Sequence, residues 1–115
     1  IGEGVPARKV LEELAARKDP GQIEPSLARL ALADLMRRGG EMDKALDTYR
    51  AMADESGLPI PRDHVLMTLA GALEEARKLP EARSAYRRVR EEFPSSSYAR
   101  EVEQRAEYLS GESRG

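Results

Sequence analysis

The strongest constraint on the fold is an internal repeat. When Ala45 is aligned with Ala82, 37 positions further along the chain, residues of the same kind recur at eight aligned positions. The aligned pairs are Leu32 and Leu69, Ala33 and Ala70, Met36 and Leu73, Met42 and Leu79, Ala45 and Ala82, Tyr49 and Tyr86, Met52 and Val89, and Gly57 and Pro94. Eight matches in one register predict consecutive copies of a single supersecondary unit that stack to bury a shared core.

The segment around Pro80 indicates what that unit is. Pro80 stands inside a run of good helix formers, LEEARKLPEARSAYRRVREEFP, although a proline in a helix interior costs about 3 kcal/mol. Apolar residues before Pro80 follow a helical period, and Ala82, Tyr86, Val89 and Phe93 form a second helical face after it. Because the first helical position needs no backbone N–H bond, we expect Pro80 to open a new helix after a tight turn. Each copy is therefore predicted to be a helix–turn–helix.

Other prolines, glycines and capping residues divide the rest of the chain. We expect helices over 6–18, from Pro25 to near Arg38, over 41–55, from an N-cap at Asp63 to the turn before Pro80, from Pro80 to Pro94, and over 97–109. Aromatic residues make up 4% of the chain, which leaves few of the residues typical of strands. The sequence predicts one all-α domain over 1–115 with about six helices.

Composition excludes several classes of function. The net charge of −2 gives no bulk attraction for a polyanion, and the absence of cysteine excludes disulfides and thiolate zinc sites. No apolar run approaches the roughly 18 residues of a membrane span. Because the chain begins at Ile1 rather than at methionine, we expect it to be a piece of a longer protein.

The repeated residues resemble the tetratricopeptide repeat, whose pattern runs L-G-x2-Y, then A-x3-F, then P. The pattern stands here as LA-x2-M, A-x3-Y and G in residues 32–57, and as LA-x2-L, A-x3-Y and P in residues 69–94. The resemblance implies an α-solenoid with repeats over 26–57 and 63–94, the second helix of a preceding repeat over 6–18, and a capping helix over 97–109. Arg29, Met52 and Val89 depart from the family's usual residues. The alternatives to this family are another α-solenoid or a plain helical bundle.

Eight residues are expected to pack the helices and repeats together, since small residues let helices approach and tyrosines fill the space between repeats. They are Leu32, Ala33, Ala45, Tyr49, Leu69, Ala70, Ala82 and Tyr86. The last segment, FPSSSYAREVEQRAEYL, resembles the helix after the final repeat in many bacterial cell-envelope tetratricopeptide proteins. That resemblance favours the periplasm or cell envelope, with the cytoplasm as the alternative.

Residues that could support catalysis are few. His64 is the only histidine and stands beside Asp63, so we interpret it as a residue of a helix start rather than a metal ligand. Gly39-Gly40 lack the motif of a phosphate-binding loop, and paired glutamates such as Glu74-Glu75 stand beside basic residues on charged helix faces. The sequence predicts no enzyme, no cofactor and no metal site.

Protein recognition is the function that the resemblance implies. Family members bind partner segments on a concave surface made by the first helix of each repeat. The corresponding positions are Leu27, Leu30, Asp34, Arg37 and Arg38 in one repeat, and His64, Met67, Gly71, Glu74 and Glu75 in the other. The alternative is a structural spacer or self-association element, in which Val10, Leu11 and Leu14 of helix 6–18 hold two copies together as a homodimer.

A basic cluster on the helix after Pro80 is the one indication of nucleic-acid binding. It comprises Arg83, Arg87, Arg88 and Arg90, and the nearby Glu81, Glu91 and Glu92 are expected to neutralise it. No set of aromatic residues for stacking bases accompanies the cluster. We therefore expect a protein partner and no nucleic acid.

Overall fold

Six α-helices make up the regular structure of the protein, for which we have a computed structural model that describes residues 7–17 and 22–114. In chain order the helices are α1 (Ala7–Ala15), α2 (Ile23–Arg38), α3 (Met42–Ala53), α4 (Arg62–Glu75), α5 (Leu79–Glu92) and α6 (Ala99–Arg114). The described residues contain no strand. The prediction of an all-α chain with about six helices is confirmed.

The helices fall into two compact units, with the boundary in the chain between Pro61 and Arg62. In the first unit α1 packs against α2, and α2 packs against α3. In the second unit α4 packs against α5, and α5 packs against α6. Each unit therefore contains one helix pair, α2–α3 or α4–α5, together with one further helix.

Small buried residues occupy corresponding places in both helix pairs. Ala33 and Ala45 in the first unit, and Ala70 and Ala82 in the second, have no exposed surface. A methyl side chain lets two helix backbones approach closely, so that larger neighbours fill the remaining space at the density of a protein interior. The helix crossings are thus built on the alanines that recur in the 37-residue register.

The turn inside each pair uses the same backbone geometry with different residues. Gly40 follows α2 with a φ of 86°, and Arg77 follows α4 with a φ of 59°. The backbone N–H of Glu41 donates to the Met36 carbonyl at 2.8 Å, and that of Lys78 donates to the Leu73 carbonyl at 2.9 Å. These bonds close a Schellman motif at the end of each first helix. Glycine is the usual residue at the left-handed position, so the arginine in the second copy is unexpected.

Several predicted helix boundaries were wrong by a few residues. Helix α5 begins at Leu79, so that Pro80 is its second residue, and α2 begins at Ile23, so that Pro25 is its third. Both prolines lie in the first turn of a helix, where a backbone N–H has no helical partner. The N–H that proline lacks is therefore not needed at either position. Asp63 lies inside the first turn of α4 instead of preceding the helix.

The two outer helices also differ from the prediction. Helix α1 ends at Ala15, three residues before the predicted end of helix 6–18, whose outermost residues, Pro6 and Lys18, lie outside the described part of the chain. Helix α6 begins at Ala99, two residues later than predicted, and continues to Arg114 instead of ending at Leu109. No proline follows Leu109 to break the helix.

Candidate functional site

Helix α2, the first helix of the α2–α3 pair, carries an exposed apolar stripe. Ile23 is 43% exposed and Leu27 is 47% exposed, while Leu30 is half-buried. Because positions four and seven apart lie on one side of an α-helix, these three side chains line up along α2. Leu27 and Leu30 belong to the predicted partner-binding set, but the sequence interpretation missed Ile23. The signal was present, since Ile23 is four residues before Leu27.

The charged residues that follow this stripe on α2 partly form contacts within the protein. The Tyr49 hydroxyl, on α3, donates a hydrogen bond to the Asp34 carboxylate. Burial and the neighbouring Asp34 raise the pKa of Tyr49 above its usual value, and the nearby Arg37 guanidinium opposes that shift. We call Tyr49, Asp34 and Arg37 the first tyrosine cluster. Asp34 thus joins α2 to α3, and Arg38 at the helix end is exposed.

The second unit contains a corresponding arrangement. The Tyr86 hydroxyl, on α5, donates to the Glu74 carboxylate, which also forms an ion pair with Arg105 on α6. Burial and Glu74 raise the pKa of Tyr86, and Arg105 opposes the shift. We call Tyr86, Glu74 and Arg105 the second tyrosine cluster. The Glu74 side chain is only 16% exposed, so this carboxylate holds three helices together, whereas the adjacent Glu75 is exposed.

The start of α4 forms hydrogen bonds to the segment that connects α5 to α6. The His64 ring nitrogen Nδ1 lies 2.9 Å from the Tyr98 hydroxyl, and the Ser96 hydroxyl donates to Asp63 at 2.7 Å. Met67 and Gly71, further along α4, are half-buried. His64 and Glu74, two of the predicted binding residues on α4, thus form hydrogen bonds within the second unit.

The residues predicted to pack the repeats lie in the interior. Seven of them are buried, and Leu32 is half-buried. Met52 in the first unit and Val89 in the second, two departures from the family pattern, also have no exposed surface. The third departure, Arg29, has a different role, because its guanidinium lies 2.6 Å from the Glu55 carboxylate just beyond α3. An ion pair here replaces the apolar contact expected at this position.

Helix α1 contributes an ion pair within the first unit and also carries an exposed apolar residue. Arg8 forms an ion pair with Glu41, in the turn between α2 and α3, and the Arg8 hydrogen bond lowers the pKa of that carboxyl. Leu11 and Leu14 are half-buried, whereas Val10 is 47% exposed. Of the apolar residues predicted to join two copies, Val10 offers the most accessible surface.

The described residues contain no cluster typical of metal chemistry. Within them, no group of three or more histidine, cysteine or carboxylate side chains is placed to hold a metal ion. None of the helices in this part of the chain combines the length and the apolar character that crossing a membrane requires.

Comparison with known families agrees with this architecture. The family described as Tetratricopeptide repeat matches residues 27–55 and 64–96, just over half of the chain of 115 residues. Comparisons with curated proteins and with solved structures gave no significant match. The first matched segment contains α3 and most of α2, and the second contains α5 and most of α4. Each match thus coincides with one helix–turn–helix pair, and the chain belongs to the tetratricopeptide repeat family.

Proposed function

We propose that this chain is a non-catalytic module that binds a peptide or helical segment of a partner protein on the first helices of its repeats. Tetratricopeptide repeats generally act as protein–protein interaction modules. The observation that carries the proposal is the exposed pair Ile23 and Leu27, one turn apart on α2. Single exposed apolar residues are common, but two large ones aligned on the helix that the family uses for recognition favour a binding surface.

The stripe on α2 suggests the chemistry of its ligand. The half of α2 that holds Ile23 and Leu27 is apolar, and the other half ends in the exposed Arg38, since Asp34 and Arg37 belong to the first tyrosine cluster. From Ile23 to Arg38 the helix extends about 22 Å at 1.5 Å per residue. A matching ligand has apolar side chains at one end and carboxylates at the other. The apolar contacts would supply most of the affinity, and the charges would set the orientation and the association rate.

The second unit offers a smaller surface on α4. Met67 is half-buried, and its flexible thioether adapts to irregular ligand shapes. Glu74 is largely buried, whereas Glu75 is exposed to solvent, where a basic ligand residue can reach it. Modest surfaces of this kind support micromolar binding rather than nanomolar binding.

The location in a bacterial cell envelope stays a prediction of the sequence resemblance.

Peptide selection from a displayed random library tests the proposal. We expect the immobilised chain to enrich sequences with two or three apolar residues followed by acidic ones. Leu27→Ser should lower the affinity for the selected peptides by about tenfold, because it removes a large exposed apolar side chain. Val10→Ser is the matched control, since Val10 in the same unit is equally exposed, at 47%. The absence of any enriched pattern, or equal losses in both variants, would contradict binding on α2.

The second candidate function is self-association through α1, which the exposure of Val10 favours. In that case Val10→Ser would change the oligomeric state, while Leu27→Ser would not. Sedimentation of the two variants therefore separates a docking surface on α2 from a dimer contact on α1.

A further inference from the structure

A cleft between α5 and α6 carries a charge pattern that the binding surfaces above do not include. It has a volume of about 190 Å³ and is lined by Arg83, Arg87, Arg90, Val102, Ala106 and Ser110. The three arginines are spaced by four and three residues, so they form one stripe along α5. No acidic residue lines the cleft.

The arginines of this stripe are not neutralised as the sequence had suggested. Glu92 lies 2.9 Å from Arg88 and 3.2 Å from Arg62, and neither of those arginines lines the cleft. In the part of the chain that the structure describes, no carboxylate lies within ion-pair distance of Arg87 or Arg90. Arg83 reaches the backbone carbonyl of Leu109 at 3.5 Å. The expectation that glutamates cancel this cluster was wrong for the side of α5 that faces the cleft.

The other wall of the cleft is suited to a peptide. Val102, Ala106 and Ser110 follow one another at four-residue spacing along α6, so they present a narrow stripe of small side chains. Val102 is buried and Ala106 half-buried, while the exposed Ser110 hydroxyl can donate to a ligand oxygen. A chain lying in the cleft would meet cations on one side and short side chains on the other.

We propose that this cleft binds an acidic segment of a partner protein that presents about three carboxylates along one edge. Arg83 and Arg90 are seven residues apart, which corresponds to about 10 Å along a helix, a distance that two turns of a partner helix span. Guanidinium groups bind carboxylates through paired, charge-assisted hydrogen bonds. A nucleic acid fits less well because no aromatic side chain lines the cleft to stack on a base.

The test uses a fluorescent, alanine-based peptide of about fourteen residues with glutamates at positions i, i+4 and i+7, a length that spans the stripe. Its partner is the same peptide with glutamines at those positions. We expect measurable binding of the glutamate peptide, and Arg87→Glu with Arg90→Glu should weaken it by about tenfold or more. The matched control is Lys78→Glu with Arg100→Glu, which changes the net charge equally in the same unit at two exposed positions outside the cleft. Circular dichroism verifies that both double variants are folded, and Arg87→Gln with Arg90→Gln provides a milder change.

The possible outcomes separate the explanations. Loss in the cleft variants with retention in the control would support the proposal. Equal losses in both pairs would assign binding to general charge attraction and overturn it, as would equal affinity for the glutamine peptide. Preferential binding of a single-stranded RNA of equal charge, lost in the same cleft variants, would replace the acidic segment with a nucleic acid. Leu27→Ser should leave the peptide affinity unchanged, so this test is independent of the surface on α2.

Discussion

Replacing Tyr86 with phenylalanine would remove one hydroxyl from the second tyrosine cluster and leave the buried ring in place. The lost hydrogen bond ends on the Glu74 carboxylate, and bonds to charged groups contribute about 1.5–3 kcal/mol each. The first cluster has the same chemistry, so Tyr49→Phe should have a similar cost through Asp34. Each variant should lower the free energy of unfolding at neutral pH by about 2 kcal/mol, because the carboxylate loses the hydrogen bond that the hydroxyl donated.

The same clusters predict a loss of stability at high pH. Burial and the carboxylate raise the pKa of each tyrosine in the folded chain, whereas in the unfolded chain the pKa is about 10. The folded state therefore holds the phenolic proton more tightly. Its stabilisation is complete below about pH 10 and decreases as the pH rises further, by about 1.4 kcal/mol per pH unit for each tyrosine. At about pH 11 each unit should have lost roughly 1.4 kcal/mol from this source.

Urea denaturation followed by circular dichroism measures both effects. The wild type, the two single variants and the double variant would be compared at neutral pH and between about pH 9 and 11. Tyr98 and Tyr108 remain in every protein, so their ionisation is common to all four. We expect the phenylalanine variants to be less stable at neutral pH but to lose less stability above pH 10. Equal pH slopes in the wild type and the double variant would refute this account of the clusters.

Further predictions address packing, backbone geometry and assembly. Ala45→Arg and Ala82→Arg should each lower the free energy of unfolding by about 3 kcal/mol or more, because both sites are fully buried; thermal shifts as small as those at an exposed site would contradict the repeat register. Arg77→Gly should raise the free energy of unfolding by about 1 kcal/mol, because glycine adopts a φ of 59° without strain, whereas Gly40→Ala should lower it by about as much. Urea titrations in which both variants change stability in the same direction would contradict this account of the turns. Val10→Glu should weaken concentration-dependent dimerisation, and sedimentation equilibrium showing a strictly monomeric wild type would count against the contact.

The sequence predicts the repeat register well because its signals are local or periodic. Matched alanines and tyrosines at fixed spacing report which sides of the helices face each other, and those residues are buried. The left-handed turn at Arg77 could not be predicted in the same way. Arginine rarely adopts this conformation, so only its alignment with Gly40 in the 37-residue register gives any indication of it.

The predicted binding residues show where helical position alone is insufficient. Counting along the pattern places Asp34 and Glu74 on the predicted concave surface, but it does not reveal that a tyrosine hydroxyl on the next helix binds each carboxylate. Arg105, which also contacts Glu74, lies 31 positions further along the chain. Exposed charges and internally paired charges have the same sequence pattern, and only the packing of helices distinguishes them.

The source of the cation in each tyrosine cluster has a consequence for exchanging repeats between arrays. Arg37 lies within residues 27–55, so the first repeat carries its own tyrosine, carboxylate and arginine. Arg105 lies beyond residues 64–96, so the second repeat obtains its arginine from the following helix. A graft of the first segment therefore brings its complete cluster with it. A graft of the second needs a successor with an arginine placed like Arg105, or its largely buried glutamate loses its cation. Two segments that look equivalent in sequence thus differ in how freely they can be transplanted.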